Sequence, residues 1–207
     1  MDHAVAAVLA EYDARAAAEE SLMPAPGRPG SAQVDELLLR VGPDTGSFMN
    51  LLIRNSQARS ILEIGTSYGY STLWLAEAAR ATGGRVVTLE MHARKAEYAR
   101  ERLTRAGLAQ QVEFRLGDAR ESLATLAGPF DFVLLDLWKD LYVPCFDLFH
   151  PKLAPGACIV ADNMLYPEMA RPAAALYRRH VRRAAGISTV LLPIGSGLEV
   201  SRFGTEP

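Results

Sequence analysis

The sequence predicts an α/β fold, a mostly parallel sheet ended by an antiparallel hairpin, with helices on both faces. Two observations predict it. Short apolar runs at 60–64, 85–90, 111–116, 130–135 and 157–161 alternate with helical stretches at 70–81, 93–106, 119–127, 140–152 and 170–184. Such alternation makes the strands parallel, because each helix carries the chain back to the same edge of the sheet. The rhythm then breaks. Residues 187–193 and 197–203 read as two strands joined by Gly195-Ser196-Gly197, a hairpin signal.

The elements before the first strand are weaker. Residues 2–20 are alanine-rich, and Val5, Val8, Leu9 and Tyr12 recur at helical spacing, which predicts an amphipathic helix. Leu22 to Gly30 holds Pro24, Pro26, Gly27, Pro29 and Gly30, so it is either a linker or a mobile cover over a site. Ser31 can cap a helix running to about Arg40, and Pro43-Asp44 opens another through Asn55. Gly107, just after Arg105, is a helix stop.

Composition narrows the function. A chain of 207 residues suits roughly one domain, and 49% apolar with 22% charged residues is ordinary for a globular protein. A net charge of −2 argues against a nucleic-acid partner held by a basic field. Arg178, Arg179, Arg182 and Arg183 cluster, but at helical spacing they read as a solvated face. Cys145 and Cys158 lack metal-type spacing and read as buried free thiols. No run reaches the ~18 apolar residues of a membrane span. Asp2, Glu11 and Asp13 interrupt any leader-like start, so a cytoplasmic location and no membrane partner are expected.

The chemistry gathers where the strands end. Asp136-Leu137-Trp138-Lys139-Asp140 follows the run ending at Leu135, and Ala161-Asp162-Asn163 closes the next. Both leave the sheet edge where open α/β sheets bind ligands. Asp136, Asp162 and Asn163 supply three oxygen donors, a set that suits a hard cation such as Mg²⁺, with Mn²⁺ or Ca²⁺ as alternatives. Upstream, Glu63 to Ser71 forms a glycine turn in which Gly65 and Gly69 let the backbone come close to a ligand. The spacing is G-x-x-x-G, which disfavours a nicotinamide dinucleotide. Glu90 ends the second strand, where a carboxylate can accept from both ribose hydroxyls, and Glu63 could attract an ammonium. Asp118 in Gly117-Asp118-Ala119 is either a helix N-cap or part of an adenine edge. His92 and His150 lack ligand spacing, and Trp74 reads as core.

On these residues the chain resembles the metal-dependent class I S-adenosylmethionine O-methyltransferases, typified by catechol and caffeoyl-CoA O-methyltransferases. Glu63–Ser71 resembles the first motif, Glu90 the ribose-binding acid, and Asp136-Leu137-Trp138-Lys139-Asp140 with Tyr142 the catechol enzyme's metal segment. Ala161-Asp162-Asn163 resembles the second metal segment and Gly197-Leu198-Glu199 the late substrate-contacting one. The resemblance spans about 41–203. It implies a Rossmann-like class I methyltransferase with a mostly parallel seven-stranded sheet, one domain over 1–207, with a variable substrate-side region at 1–40. It also implies that Gly65, Tyr70 and Ser71 line the methionine end of S-adenosylmethionine, that Val41 touches the cofactor from the N-terminal side, and that Glu63 belongs to the cofactor site. Glu90 would hold the ribose; Met91, Ala119, Arg120, Asp136 and Trp138 would border the rest of the cofactor. Leu137 replaces a histidine of the catechol enzyme. A homodimer is implied by the same analogy.

A phenol with pKa about 10 is mostly protonated at neutral pH, and a bound cation favours its anion. Three protein oxygens, two vicinal substrate oxygens and a water complete an octahedron, which points to a small catechol-like aromatic as substrate. Lys139, three residues beyond Asp136, would act as general base if neutral and stabilise the phenolate if charged. Glu199 would accept from the second hydroxyl, and Asp140 reads as a helix cap.

Overall fold

A computed structural model describes residues 2–19 and 36–204. The expected linker or cover at 22–30 and the Ser31 cap lie outside the described residues. The rest of the helix expected to reach Arg40 does not form, for residues 38–40 carry no regular structure.

The N-terminal helix α1 (His3–Glu19) is followed by α2 (Pro43–Ser56). Then come β1 (Ser60–Ile64), α3 (Tyr70–Thr82), β2 (Arg85–Glu90), α4 (Ala93–Arg105) and β3 (Val112–Leu116). The second half runs α5 (Ala119–Thr125), β4 (Phe130–Leu135), α6 (Tyr142–Phe149), β5 (Leu153–Ala161), α7 (Arg171–Val181), β6 (Ile187–Leu192) and β7 (Leu198–Phe203). The strands form one seven-stranded sheet in the order β3-β2-β1-β4-β5-β7-β6. The first five are parallel; β7 enters antiparallel between β5 and β6.

Two details depart from the expected spans. The helix expected at 140–152 is a 3₁₀ turn (Lys139–Leu141), α6, and a second turn (His150–Lys152). Pro151 lacks the N–H that would continue the α ladder. Asp140 lies inside the first of these turns and makes no side-chain cap. Strand β5 begins earlier than expected, at Leu153, because its pairing skips from Phe130–Leu153 to Phe132–Cys158 and leaves Pro155-Gly156 in a bulge.

Alternate strand residues feed two cores. Ile61, Val86, Phe132, Leu134 and Val160 pack under the first four helices. Leu62, Ile64, Val133, Leu135 and Ile159 pack under the last three. With both faces covered, the exits of β1, β2, β4 and β5 gather at one edge, and that edge carries the site. Among the described residues no helix is long and apolar enough to cross a membrane. Cys145 and Cys158 are free thiols, and burial pushes them up to about 12 and about 11.

Candidate active site

The crevice is lined by Leu38 to Val41 on one side, Gly65 to Tyr68, Tyr70 and Ser71 on another, and Asp136 at the far wall. Five residues expected at the cofactor (Val41, Gly65, Tyr70, Ser71 and Asp136) thus share one opening. Gly65 has φ +107°, and a Cβ there would sit 1.9 Å from the Asp136 carbonyl oxygen. The close approach this glycine permits is between β1 and β4 exits, so it narrows the crevice floor.

Glu63 is fully buried. Its carboxylate accepts from Ser71 Oγ, Thr72 Oγ1 and Thr88 Oγ1, each at 2.6 Å. Through Ser71 and Thr72, Glu63 fixes the first turn of α3, the helix whose start borders the crevice. Burial pushes its carboxyl up to about 7, against the three hydroxyls that favour the charge. Native protein then keeps a proton that the unfolded chain releases near 4.5. The stability from this group is full below about pH 4.5 and lost as pH rises to about 7. Glu63→Gln should flatten that part of the stability profile in urea titrations; an unchanged slope would mean Glu63 is ionised throughout.

Glu90 sits at the end of β2, 7% exposed, and accepts from the backbone N–H groups of Ser67 (2.7 Å) and His92 (2.8 Å). One carboxylate thereby fixes the glycine loop to the β2 exit. Met91 (58% exposed) and Trp138 (57% exposed) stand uncovered after β2 and β4, the two strands that flank β1. Isolated exposed apolar side chains are common, but two beside a crevice suit a flat, partly apolar ligand. Asp118 caps α5 by accepting from Arg120 N at 2.7 Å. It also accepts from the Arg120 side chain, whose Nη2 lies 2.6 Å away. Ala119, between them, is half-buried.

Beside this crevice lies the polar cluster. Lys139 Nζ donates to Tyr142 Oη (2.5 Å), Asn163 Oδ1 (2.9 Å) and the Leu137 carbonyl (3.1 Å), and lies 3.8 Å from Asp136 Oδ1. Tyr142 Oη donates to the Asp162 carbonyl at 3.2 Å. Asp162 is 1% exposed, and its Oδ1 is a buried acceptor with no hydrogen-bond partner. Asn163 takes a left-handed φ of 58°, a region asparagine tolerates better than most residues. Burial raises both carboxyls, Asp162 up to about 8 with the Asp136 charge adding to the rise. Burial lowers the Lys139 ammonium, which the Asp136 and Asp162 charges resist.

These residues fit a hard cation. A buried carboxylate oxygen without a donor is costly unless a positive ligand meets it. Among the described residues no three His, Cys, Asp or Glu side chains cluster as a metal site. The candidate donor set therefore rests on two aspartates with the Asn163 carboxamide, an all-oxygen set of the kind Mg²⁺ and Ca²⁺ use.

Glu199 departs from the expected substrate contact. It pairs in register with Ala161, which faces the second core, so its side chain points towards α7. There the fully buried carboxylate accepts from Arg178 Nε (2.7 Å), Arg182 Nε (3.2 Å) and Thr189 Oγ1 (3.2 Å). The arginine run expected to be a solvated face thus splits: Arg179 and Arg183 are exposed, while Arg178 and Arg182 serve Glu199.

Sequence reading did not anticipate the contacts of α1. Tyr12 Oη donates to the Tyr68 carbonyl, and the Arg15 guanidinium lies 4.0 Å above the Tyr68 ring. Arg40 pairs with Asp13 at 2.9 Å. The recurring tyrosines 12, 68, 70 and 98 could have hinted at it, since such rings pair edge to face.

A mostly parallel sheet with its seventh strand inserted antiparallel before the sixth, and a crevice at the β1–β4 edge, defines the class I methyltransferase fold. Solved structures agree. The O-methyltransferase TomG from Streptomyces achromogenes, in complex with SAM, superposes with TM-score 0.74 at 29% identity, over 99% of this chain and 91% of that one. An O-methyltransferase from Bacillus cereus, in complex with SAH, gives 0.73 at 29% identity, over 98% and 91%. The catechol O-methyltransferase of Niastella koreensis is 39% identical over 170 residues, 80% of this chain and 72% of that one. The O-methyltransferase family profile matches residues 18–202, and the chain belongs to that family.

Proposed function

We propose that this enzyme transfers a methyl group from S-adenosylmethionine to one hydroxyl of a small aromatic bearing two vicinal hydroxyls, with a divalent cation, Mg²⁺ foremost, held by Asp136, Asp162 and Asn163. The observation that carries the reading is the joining of a glycine-loop crevice to an all-oxygen donor set with an amine beside it. The SAM-bound and catechol-methylating relatives support it.

A bound divalent cation would lower the pKa of a coordinated hydroxyl and orient it. The chain's own residues do the rest. Ser71, Tyr70 and Val41 shape the crevice at the methyl-donor end. Met91 and Trp138, both exposed, would offer apolar surface to an adenine, and Ala119 and Arg120 would border it as well. Lys139, whose charge burial disfavours, takes the proton from the acceptor hydroxyl when neutral. Methyl transfer is an in-line displacement, so a nucleophile held about 3 Å from the methyl carbon gains most of its advantage from position. No substrate contact is assigned to Glu199, whose carboxylate already serves two guanidiniums. The working unit is taken as a cytoplasmic homodimer; a monomeric mass in sedimentation would overturn the dimer.

The test is methyl transfer to a panel of catechols, with added Mg²⁺ and with EDTA. Turnover that EDTA removes supports the reading. Turnover indifferent to EDTA removes the cation from it, and no turnover on any catechol removes the substrate class. Separately, Glu90→Ala should weaken S-adenosylmethionine binding by roughly tenfold or more in calorimetry, the scale of a lost charge-assisted hydrogen bond. Unchanged affinity would remove Glu90 from the ribose.

A further inference from the structure

We propose that the Lys139 ammonium is the resident counter-ion of the cation site, and that a divalent cation binds by evicting it from Asn163. The inference rests on the reading of Asp136, Asp162 and Asn163 as a cation site.

Three observations carry it. First, Lys139 Nζ is hydrogen-bonded at 2.9 Å to the Oδ1 of Asn163, the one oxygen that this side chain can offer a metal. An oxygen engaged by an ammonium has its charge-attracting lone pair directed at that ammonium. A metal claiming it must displace the amine or share it at short like-charge distance, which is unfavourable. Second, the amine is not loosely draped there. The Tyr142 hydroxyl at 2.5 Å and the Leu137 carbonyl at 3.1 Å complete a three-acceptor cradle, and an ammonium has three protons to give. Its side chain is only 13% exposed. Third, the two carboxylates around it are left under-served. Asp136 Oδ1 is 3.8 Å from the amine, beyond hydrogen-bond range, and Asp162 Oδ1 has no partner. One tethered amine thus serves Asn163 and leaves Asp136 Oδ1 and Asp162 Oδ1 without a hydrogen bond from it. A divalent cation can draw on all three oxygens at once, and the amine it expels stays attached three residues from Asp136. The same residue is then set free beside the acceptor only when the cation is loaded.

The tether predicts a competition that can be read without turnover. Binding of Mn²⁺ alone to the full chain, followed by the loss of free-ion EPR signal at constant pH, should be roughly tenfold tighter in Lys139→Met than in the parent, since the variant keeps the stem and removes the charge. Tyr142→Phe removes one acceptor of the cradle and no metal donor, so it should tighten Mn²⁺ by a smaller factor, about threefold, and it carries the test if Lys139→Met does not fold. Binding only in the variants, with none in the parent, is the strong form of the expected result. Equal or weaker Mn²⁺ binding in the folded variants overturns the counter-ion role and leaves the cation site standing. No Mn²⁺ binding in parent or variants overturns the cation site and this inference with it.

Discussion

Replacing Asp162 with alanine should reduce Mg²⁺-dependent methyl transfer by roughly 10³-fold or more, to the level seen with EDTA, the scale on which loss of a preorganised charge slows catalysis. S-adenosylmethionine affinity should stay within about threefold, because Asp162 does not line the cofactor crevice. The variant should also be more stable than the parent. A buried acceptor without a partner costs about 1–3 kcal/mol, and Asp162 Oδ1 is such an acceptor in an almost fully buried residue. Activity and stability moving in opposite directions would distinguish a lost ligand from a damaged fold. A variant that keeps Mg²⁺-stimulated turnover would end the assignment of Asp162. One that loses activity together with stability would make Asp162 a structural residue.

Gly65→Ala should be the most destabilising single methyl that can be added to the crevice, costing about 3 kcal/mol or more in urea denaturation. Two effects add. A left-handed φ of +107° strains any residue with a Cβ, by about 1–3 kcal/mol. The new methyl would also meet the Asp136 carbonyl oxygen at 1.9 Å and its carbonyl carbon at 2.7 Å, and neither atom can rotate away. Relief requires the β1 and β4 exits to separate, which moves Asp136 and widens the crevice. Gly117→Ala is the control: its φ is +121°, yet nothing lies within 4 Å of the added atom. It should show the backbone strain alone. If the two variants lose equal stability, the contact with Asp136 is not limiting.

The middle of the sheet was legible because β1 and β4 are buried on both faces and so read as largely apolar runs. Phe132 to Leu135 needs no alternation to be recognised, and Ile61 to Ile64 is interrupted only by the buried Glu63. Strand β5 was less legible, since Pro155-Gly156 would ordinarily end a strand and the bulge that accommodates them depends on the partner strand. In the site, Asp136, Lys139, Asp162 and Asn163 were legible as residues at strand ends, and chain order brought them together. Partnership was not legible. Glu199 read as an acceptor for a substrate hydroxyl, and Arg178 and Arg182 as surface charge; their pairing across 17 to 21 positions depends on sheet register and helix rotation. Tyr142 entered only as part of a motif. Its bridge between Lys139 and the Asp162 carbonyl follows from how α6 packs against β5. The α1 contacts at Tyr68 and Arg40 were hidden for the same reason.

The two tryptophans are placed very differently, and this makes the protein its own optical instrument. Trp74 is packed on the core, where an added methyl on Gly46 would strike its ring, whereas Trp138 is 57% exposed at the end of β4. Their emission should therefore separate into a blue component that reports only on folding and a red component that reports on whatever covers the β4 exit. A ligand settling there should shift and dim the red component alone, so that occupancy can be titrated without label, product or coupled assay.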